Sequence, residues 1–187
     1  MNLPNRLTLT RIFMVPLFAV FAALALRNGG RLPYFLAGVV FAAASLTDYL
    51  DGSIARSRGI VTNFGKFADP LADKILTTAA FLYMQQEGVC DPAVLILILF
   101  REFAVSGLRM LAAGGGGTVI AANIWGKLKT VTMMLSILFF YFGSGFFPGN
   151  GVIRGVSSVL CWVCALFTVI SGATYFYACR DLFKNSK

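Results

Sequence analysis

Six stretches of mostly apolar residues, separated by short breaks carrying Gly, Pro or charge, take up nearly all of this 187-residue chain. A helix needs roughly 20 such residues to cross the hydrocarbon of a bilayer. In that solvent every backbone N–H and C=O must be bonded within its own segment, which favours helix. The stretches cover residues 11–26, 33–50, 70–86, 92–113, 125–142 and 152–178. The breaks lie at 27–32, at 88–92, in the tetraglycine 114–117 and at 143–151, which holds Pro148. The expected fold class is an all-α integral membrane protein of six transmembrane helices. Composition agrees: 58% of residues are apolar and 13% charged, where soluble domains carry about 45–50% and 25%. Too few polar groups remain to cover a water-facing surface.

Charge placement sets the orientation. With both termini and the even-numbered connections on one side, that side holds Arg6, Arg11, Arg56, Arg58, Lys66, Lys74, Arg109, Lys127, Lys129, Arg180, Lys184 and Lys187. The other side holds Arg27, Arg31 and Arg154, together with Glu87 and Asp91. Twelve basic residues against three identify the first side as cytoplasmic. The net charge of +8 is then explained by the anionic inner leaflet, and nucleic acid is not an expected partner. Before the first span, Leu3 and Leu7 beside Arg6 and Arg11 form a pattern suited to a short interfacial helix. A frayed terminus would carry the same residues. No cleavable leader, internal repeat or separate soluble domain is evident, so residues 1–187 are expected to form a single membrane domain. Cys90, Cys161, Cys164 and Cys179 lack metal-site pairing, and Cys161 and Cys164 fit packing positions in an apolar run.

The chain has no histidine, which excludes Ser-His-Asp hydrolysis, HExxH zinc sites and any imidazole base. Proton transfer must use a carboxylate, Lys, Tyr, Cys or water. Only eight acidic residues occur, and four of them, Asp48, Asp51, Asp69 and Asp73, fall within 26 positions at the cytoplasmic mouth of spans two and three. Spacings of three and four put each pair on one helix face. If the two helices are antiparallel neighbours, all four carboxylates converge. Such a group takes up protons, pairs with Arg56, Arg58, Lys66 and Lys74, or binds cations. Oxygen-only donors select a hard ion, Mg²⁺, Mn²⁺ or Ca²⁺. A pair of such ions about 3.5–4 Å apart is the arrangement used for phosphoryl displacement. Gly52 and Ala55 leave the helix surface open beside the acids, and Arg56 one turn on can donate two parallel bonds to a phosphate.

The run Asp48-Tyr-Leu-Asp51-Gly52-Ser-Ile-Ala55-Arg56, followed by Gly65, Asp69 and Asp73, resembles the CDP-alcohol phosphotransferase signature D-x2-D-G-x2-A-R-x8-G-x3-D-x3-D at every fixed position. The resemblance implies six transmembrane helices around a two-ion Mg²⁺ or Mn²⁺ site facing the cytoplasm, in a homodimer. It makes Asp48, Asp51 and Asp69 principal metal ligands. Asp73 becomes a ligand that also takes the proton of the acceptor alcohol. Gly52, Ala55 and Arg56 become the seat of the CDP group of CDP-diacylglycerol, with Thr62 nearby and Asn5 and Thr8 contributed by the N-terminal segment.

Arg101, about 13.5 Å along its helix from Pro92 at 1.5 Å per residue, lies near mid-membrane, where an unpaired cation is expensive. It either pairs with Glu102 or another helix, or serves a ligand. Arg109 and Lys127 flank one connection and either anchor the inner face or bind an anionic acceptor. The segment from Arg101 to Arg109, the opening Asn2-Leu-Pro-Asn-Arg-Leu-Thr and Gly126-Lys-Leu-Lys-Thr130 are similar to bacterial phosphatidylglycerophosphate synthases. That likeness implies transfer of a phosphatidyl group from CDP-diacylglycerol to sn-glycerol 3-phosphate in the bacterial cytoplasmic membrane, with Arg101, Arg109 and Lys127 holding the acceptor. Met133 departs from it, standing where many members carry Gln, at a position that either touches substrate or packs. The same core suits a cardiolipin, phosphatidylinositol-phosphate or phosphatidylserine synthase. Outside enzymes, an acidic cluster among six helices suits a divalent-cation transporter.

Overall fold

This computed structural model describes residues 3–58, 63–114 and 124–178, with side chains for 10–47, 71–108 and 124–178. The described residues form six helices and no strand: α1 (Leu3–Asn28), α2 (Arg31–Arg58), α3 (Asn63–Gln86), α4 (Pro92–Gly114), α5 (Ile124–Phe146) and α6 (Gly151–Ala178). Three segments, Thr10–Asn28, Ile124–Phe146 and Gly151–Ala178, are long and apolar enough to cross a membrane, and Arg31–Thr47 is a shorter apolar helix. The protein is therefore an all-α chain built for a membrane.

Local chemistry accounts for several boundaries. The Asp91 carboxylate accepts a 2.8 Å bond from the Ala93 N–H, and Pro92 has no N–H to satisfy, so α4 starts with a cap followed by proline. The Asn150 side chain accepts from the Val152 N–H at 2.8 Å at the start of α6. At the end of α1, Gly29 adopts φ +60° and its N–H reaches the Ala25 carbonyl at 2.8 Å, a left-handed cap open to glycine.

Several helices exceed the apolar stretches that announced them. α1 runs unbroken from Leu3 through Pro16, so the residues expected to form a separate interfacial helix are its first turns. α2 continues to Arg58, and α3 begins at Asn63, ahead of Pro70. The expected break at 143 starts too early, because Gly143 and Gly145 belong to α5. Packing supplies the reason. A Cβ on Gly145 would stand 3.1 Å from the Phe35 backbone nitrogen, and one on Gly143 would stand 2.7 Å from Ile153 Cγ2. Here glycine is chosen for close approach of α5 to α2 and α6.

Each helix has two main neighbours, in the closed order α1, α2, α5, α6, α4, α3. Among the described residues α1 packs on both α2 and α3, and these two touch each other slightly. The ring closes on aromatic contacts: Phe18 of α1 meets Phe41 of α2 at 6.0 Å and Tyr141 of α5 at 5.3 Å, both edge-on, the favoured geometry for such pairs. Cys90, Cys161 and Cys164 are buried within this core, as the packing reading of the cysteines requires. Met133 is buried there as well.

At one end, three connections meet. The Tyr34 hydroxyl donates to Glu87 Oε1 at 2.5 Å. Arg154 Nη1 donates to Glu87 Oε2 at 3.2 Å, and Arg154 also donates to the Glu87 carbonyl. This clasp joins the starts of α2 and α6 to the end of α3. Three helix ends gathered there place the signature helices' other ends, α2 near Arg58 and α3 near Asn63, at the opposite end of the ring.

Candidate active site

The extension of α2 to Arg58 has a direct consequence for the acidic signature. Asp48, Asp51, Gly52, Ala55 and Arg56 all lie on this one helix, and Gly65, Asp69 and Asp73 all lie on α3. The i,i+3 and i,i+4 spacings therefore act as true helical spacings, and each acid pair shares a face of its helix. Four carboxylates with no imidazole or thiolate among them are a donor set suited to a hard divalent ion. The side chains of Asp48, Asp51, Gly52, Ala55, Arg56 and Asp69 lie outside the described residues, as do those of Asn5, Thr8 and Arg109, and Thr62 lies outside altogether. Asp73 is partly buried, and its backbone carbonyl accepts a 3.0 Å bond from Thr77 Oγ1. No cluster of three ligating side chains occurs among the described residues.

Immediately after Asp73, Lys74 fastens α3 to α4. Its ammonium donates to Ser106 Oγ and, at 3.4 Å, to the Glu102 carbonyl, and it stands 5.9 Å above the centre of the Phe103 ring. Lys74 was expected as an inner-face charge; here it spans an interhelical contact.

One turn of α4 away from Ser106 is an ionic cluster that links three helices. Glu102 Oε1 receives Arg101 Nη1 at 3.0 Å and Lys129 Nζ of α5 at 2.5 Å. Arg101 Nη2 donates to Ser171 Oγ of α6 at 2.6 Å. The Lys129 side chain is 3% exposed, those of Arg101 and Glu102 13% and 19%. Arg101 thus forms the ion pair with Glu102 and reaches α6 by a hydrogen bond. Two glycines lie against its side chain. A Cβ on Gly126 would lie 3.5 Å from Arg101 Nη2, and one on Gly172 3.4 Å from Arg101 Cγ.

The two lysines at the start of α5 face opposite ways. Lys127 is exposed, whereas Lys129, expected as an inner-face anchor, is turned inward and buried. Two residues on a helix of 3.6 per turn are about 200° apart, so only one of the two can face the ring's interior. Arg11, counted among the cytoplasmic-side charges, is fully buried. Hydropathy could not rank Lys127 against Lys129; the signal available was Glu102, an acid within an apolar span that required a cation across from it.

Residues 1–170 match the family model for CDP-alcohol phosphatidyltransferase. The chain is 40% identical to CDP-diacylglycerol–glycerol-3-phosphate 3-phosphatidyltransferase of Bacillus subtilis, over 99% of this chain and 98% of the relative. It is 37% identical to the protein of that name in Rickettsia felis, with 97% of each chain covered. It is 38% identical to a probable phosphatidylglycerophosphate synthase of Mycobacterium tuberculosis, over 97% of this chain and 83% of the relative. With its signature complete on α2 and α3 and the match running through nearly all of its length, the chain belongs to the CDP-alcohol phosphatidyltransferase family.

Proposed function

We infer that the protein transfers a phosphatidyl group from CDP-diacylglycerol to sn-glycerol 3-phosphate, giving phosphatidylglycerophosphate and CMP. The observation that carries this reading is full-length similarity to relatives bearing that activity in their names, joined to a complete acidic signature on two continuous helices. The whole chain is one catalytic membrane domain with six spans. It sits in the bacterial cytoplasmic membrane with both termini and the site on the cytoplasmic side, as the twelve-to-three charge bias supports. The first turns of α1 enter from the inner interface. In this reading the protein is a homodimer, as the family resemblance implies.

Asp48, Asp51, Asp69 and Asp73 would hold two divalent ions, Mg²⁺ or Mn²⁺. When bound, such ions neutralise charge on the pyrophosphate and on departing CMP. Gly52, Ala55 and Arg56 seat the CDP group, with Thr62, Asn5 and Thr8 at its margins. Asp73 accepts the proton of the acceptor hydroxyl as that oxygen attacks the β-phosphorus. One P–O bond forms to the acceptor while the bond to the CMP oxygen breaks, so CMP leaves carrying the electron pair. Arg101 and Arg109 hold the acceptor phosphate. Lys127 contributes from the exposed side of α5, and Lys129 adds a buried ammonium. The acyl chains remain in lipid.

The test is incubation of the purified protein with CDP-diacylglycerol, Mg²⁺ and a panel of labelled alcohols. CMP and labelled lipid formed with glycerol 3-phosphate support the reading. A preference for phosphatidylglycerol, inositol phosphate or serine would assign a different acceptor. Cation flux into liposomes without CDP-lipid, and no CMP release, would mark a transporter.

A further inference from the structure

We propose that Glu102 is a positioning residue, drawing the Arg101 guanidinium and the Lys129 ammonium into one buried seat for the phosphomonoester group of the acceptor; the inference rests on the functional reading above. Glu102 Oε1 is shared by Arg101 at 3.0 Å and Lys129 at 2.5 Å. Without the carboxylate between them, two cations of α4 and α5 would repel each other in surroundings where charge is poorly screened. Ser171, 2.6 Å from Arg101 Nη2, fixes the far side of the guanidinium. Gly126 and Gly172 pack against the same side chain at ordinary contact distance.

The charge count indicates what the seat takes. Lys74, fastened to the Glu102 carbonyl and Ser106, belongs to the same network. Arg101 and Lys129 together face one carboxylate, which leaves the pair with positive charge to spare. A phosphate monoester, carrying about −1.5 to −2 at neutral pH, is attracted to that surplus, where an uncharged alcohol is not. Arg101 Nε is buried with no hydrogen-bond partner among the described residues. A buried donor in that condition is costly unless something fills it. Lys74 follows Asp73 directly, so the network also ties the seat to the helix that carries the proposed base.

The test separates acceptor recognition from general folding. Michaelis constants for glycerol 3-phosphate and for CDP-diacylglycerol are measured in wild type, Glu102→Gln, Glu102→Asp and Ser171→Ala, with thermal unfolding in detergent alongside. Glu102→Gln is expected to raise the acceptor constant at least tenfold and the CDP-lipid constant less than twofold. Glu102→Asp, which restores the charge, brings the acceptor constant back to within about threefold of wild type. Ser171→Ala raises it three- to tenfold with the same selectivity. Should Glu102→Gln fail to fold, the other two variants still carry the comparison. Constants that move together, that stay unchanged, or an acceptor constant that falls in Glu102→Gln would overturn the proposal. Wild-type protein that does not use glycerol 3-phosphate overturns the functional reading itself; wild-type turnover without selective variant effects overturns only the role of Glu102.

Discussion

Lys129 Nζ stands 2.5 Å from Glu102 Oε1, joining α5 to α4 inside the helix ring, while Lys127 two residues earlier is exposed. The two lysines therefore respond differently to removal. Lys129→Ala takes away one of the two cations on a poorly solvated carboxylate. Breaking a buried pair costs about 3–5 kcal/mol, and Arg101 still holds Glu102, so a loss of about 3 kcal/mol is expected. Lys127→Ala is expected to stay within about 0.5 kcal/mol of wild type. Unfolding in detergent, followed for both variants, checks the contrast; equal losses would show that both lysines are surface anchors.

Asp73→Asn retains the size of the side chain and removes its basicity. A general base supplies a factor of about 10²–10⁴, so CMP release is expected to fall by that much while CDP-diacylglycerol still binds. Turnover and equilibrium binding of the CDP-lipid, measured on one preparation, provide the check. Undiminished CMP release from Asp73→Asn would remove Asp73 as the base.

Arg109→Ala is expected to raise the Michaelis constant for glycerol 3-phosphate about tenfold or more, the scale of a charge-assisted bond worth about 1.5–3 kcal/mol, and to leave the CDP-lipid constant nearly unchanged. Steady-state kinetics with each substrate varied in turn decides it. Equal effects on both constants would make Arg109 structural.

At Gly145 the expected effect lies in packing alone. A Cβ there would meet the Phe35 backbone nitrogen at 3.1 Å, and backbone cannot swing aside as the end of a side chain can. Gly145→Val is expected to cost about 1–3 kcal/mol through overpacking. The unfolding midpoint should drop with no selective change in either Michaelis constant.

Local features of the chain were the most legible. Asp91-Pro92 marked the start of α4 because a cap and a proline act through their immediate neighbours. The acid spacing marked two helix faces because i,i+3 and i,i+4 are properties of one helix. Helix length was harder to see where hydropathy falls before the helix ends: α2 continues eight residues past Leu50 to Arg58, through the polar signature itself. Gly143 and Gly145 resembled a break because a glycine that permits close packing looks the same in sequence as one that permits a turn. The inward turn of Lys129 and the contact of Gly126 and Gly172 with Arg101 depend on which helices become neighbours, a long-range outcome that no single stretch encodes.

The central physical claim is that Asp48, Asp51, Asp69 and Asp73 converge around hard divalent ions. Crystals of the protein soaked in manganese and measured at an anomalous wavelength test it most directly. Anomalous peaks bounded by these four carboxylates between α2 and α3 are the expected result. Peaks elsewhere, or none in a preparation that Mn²⁺ activates, would contradict it.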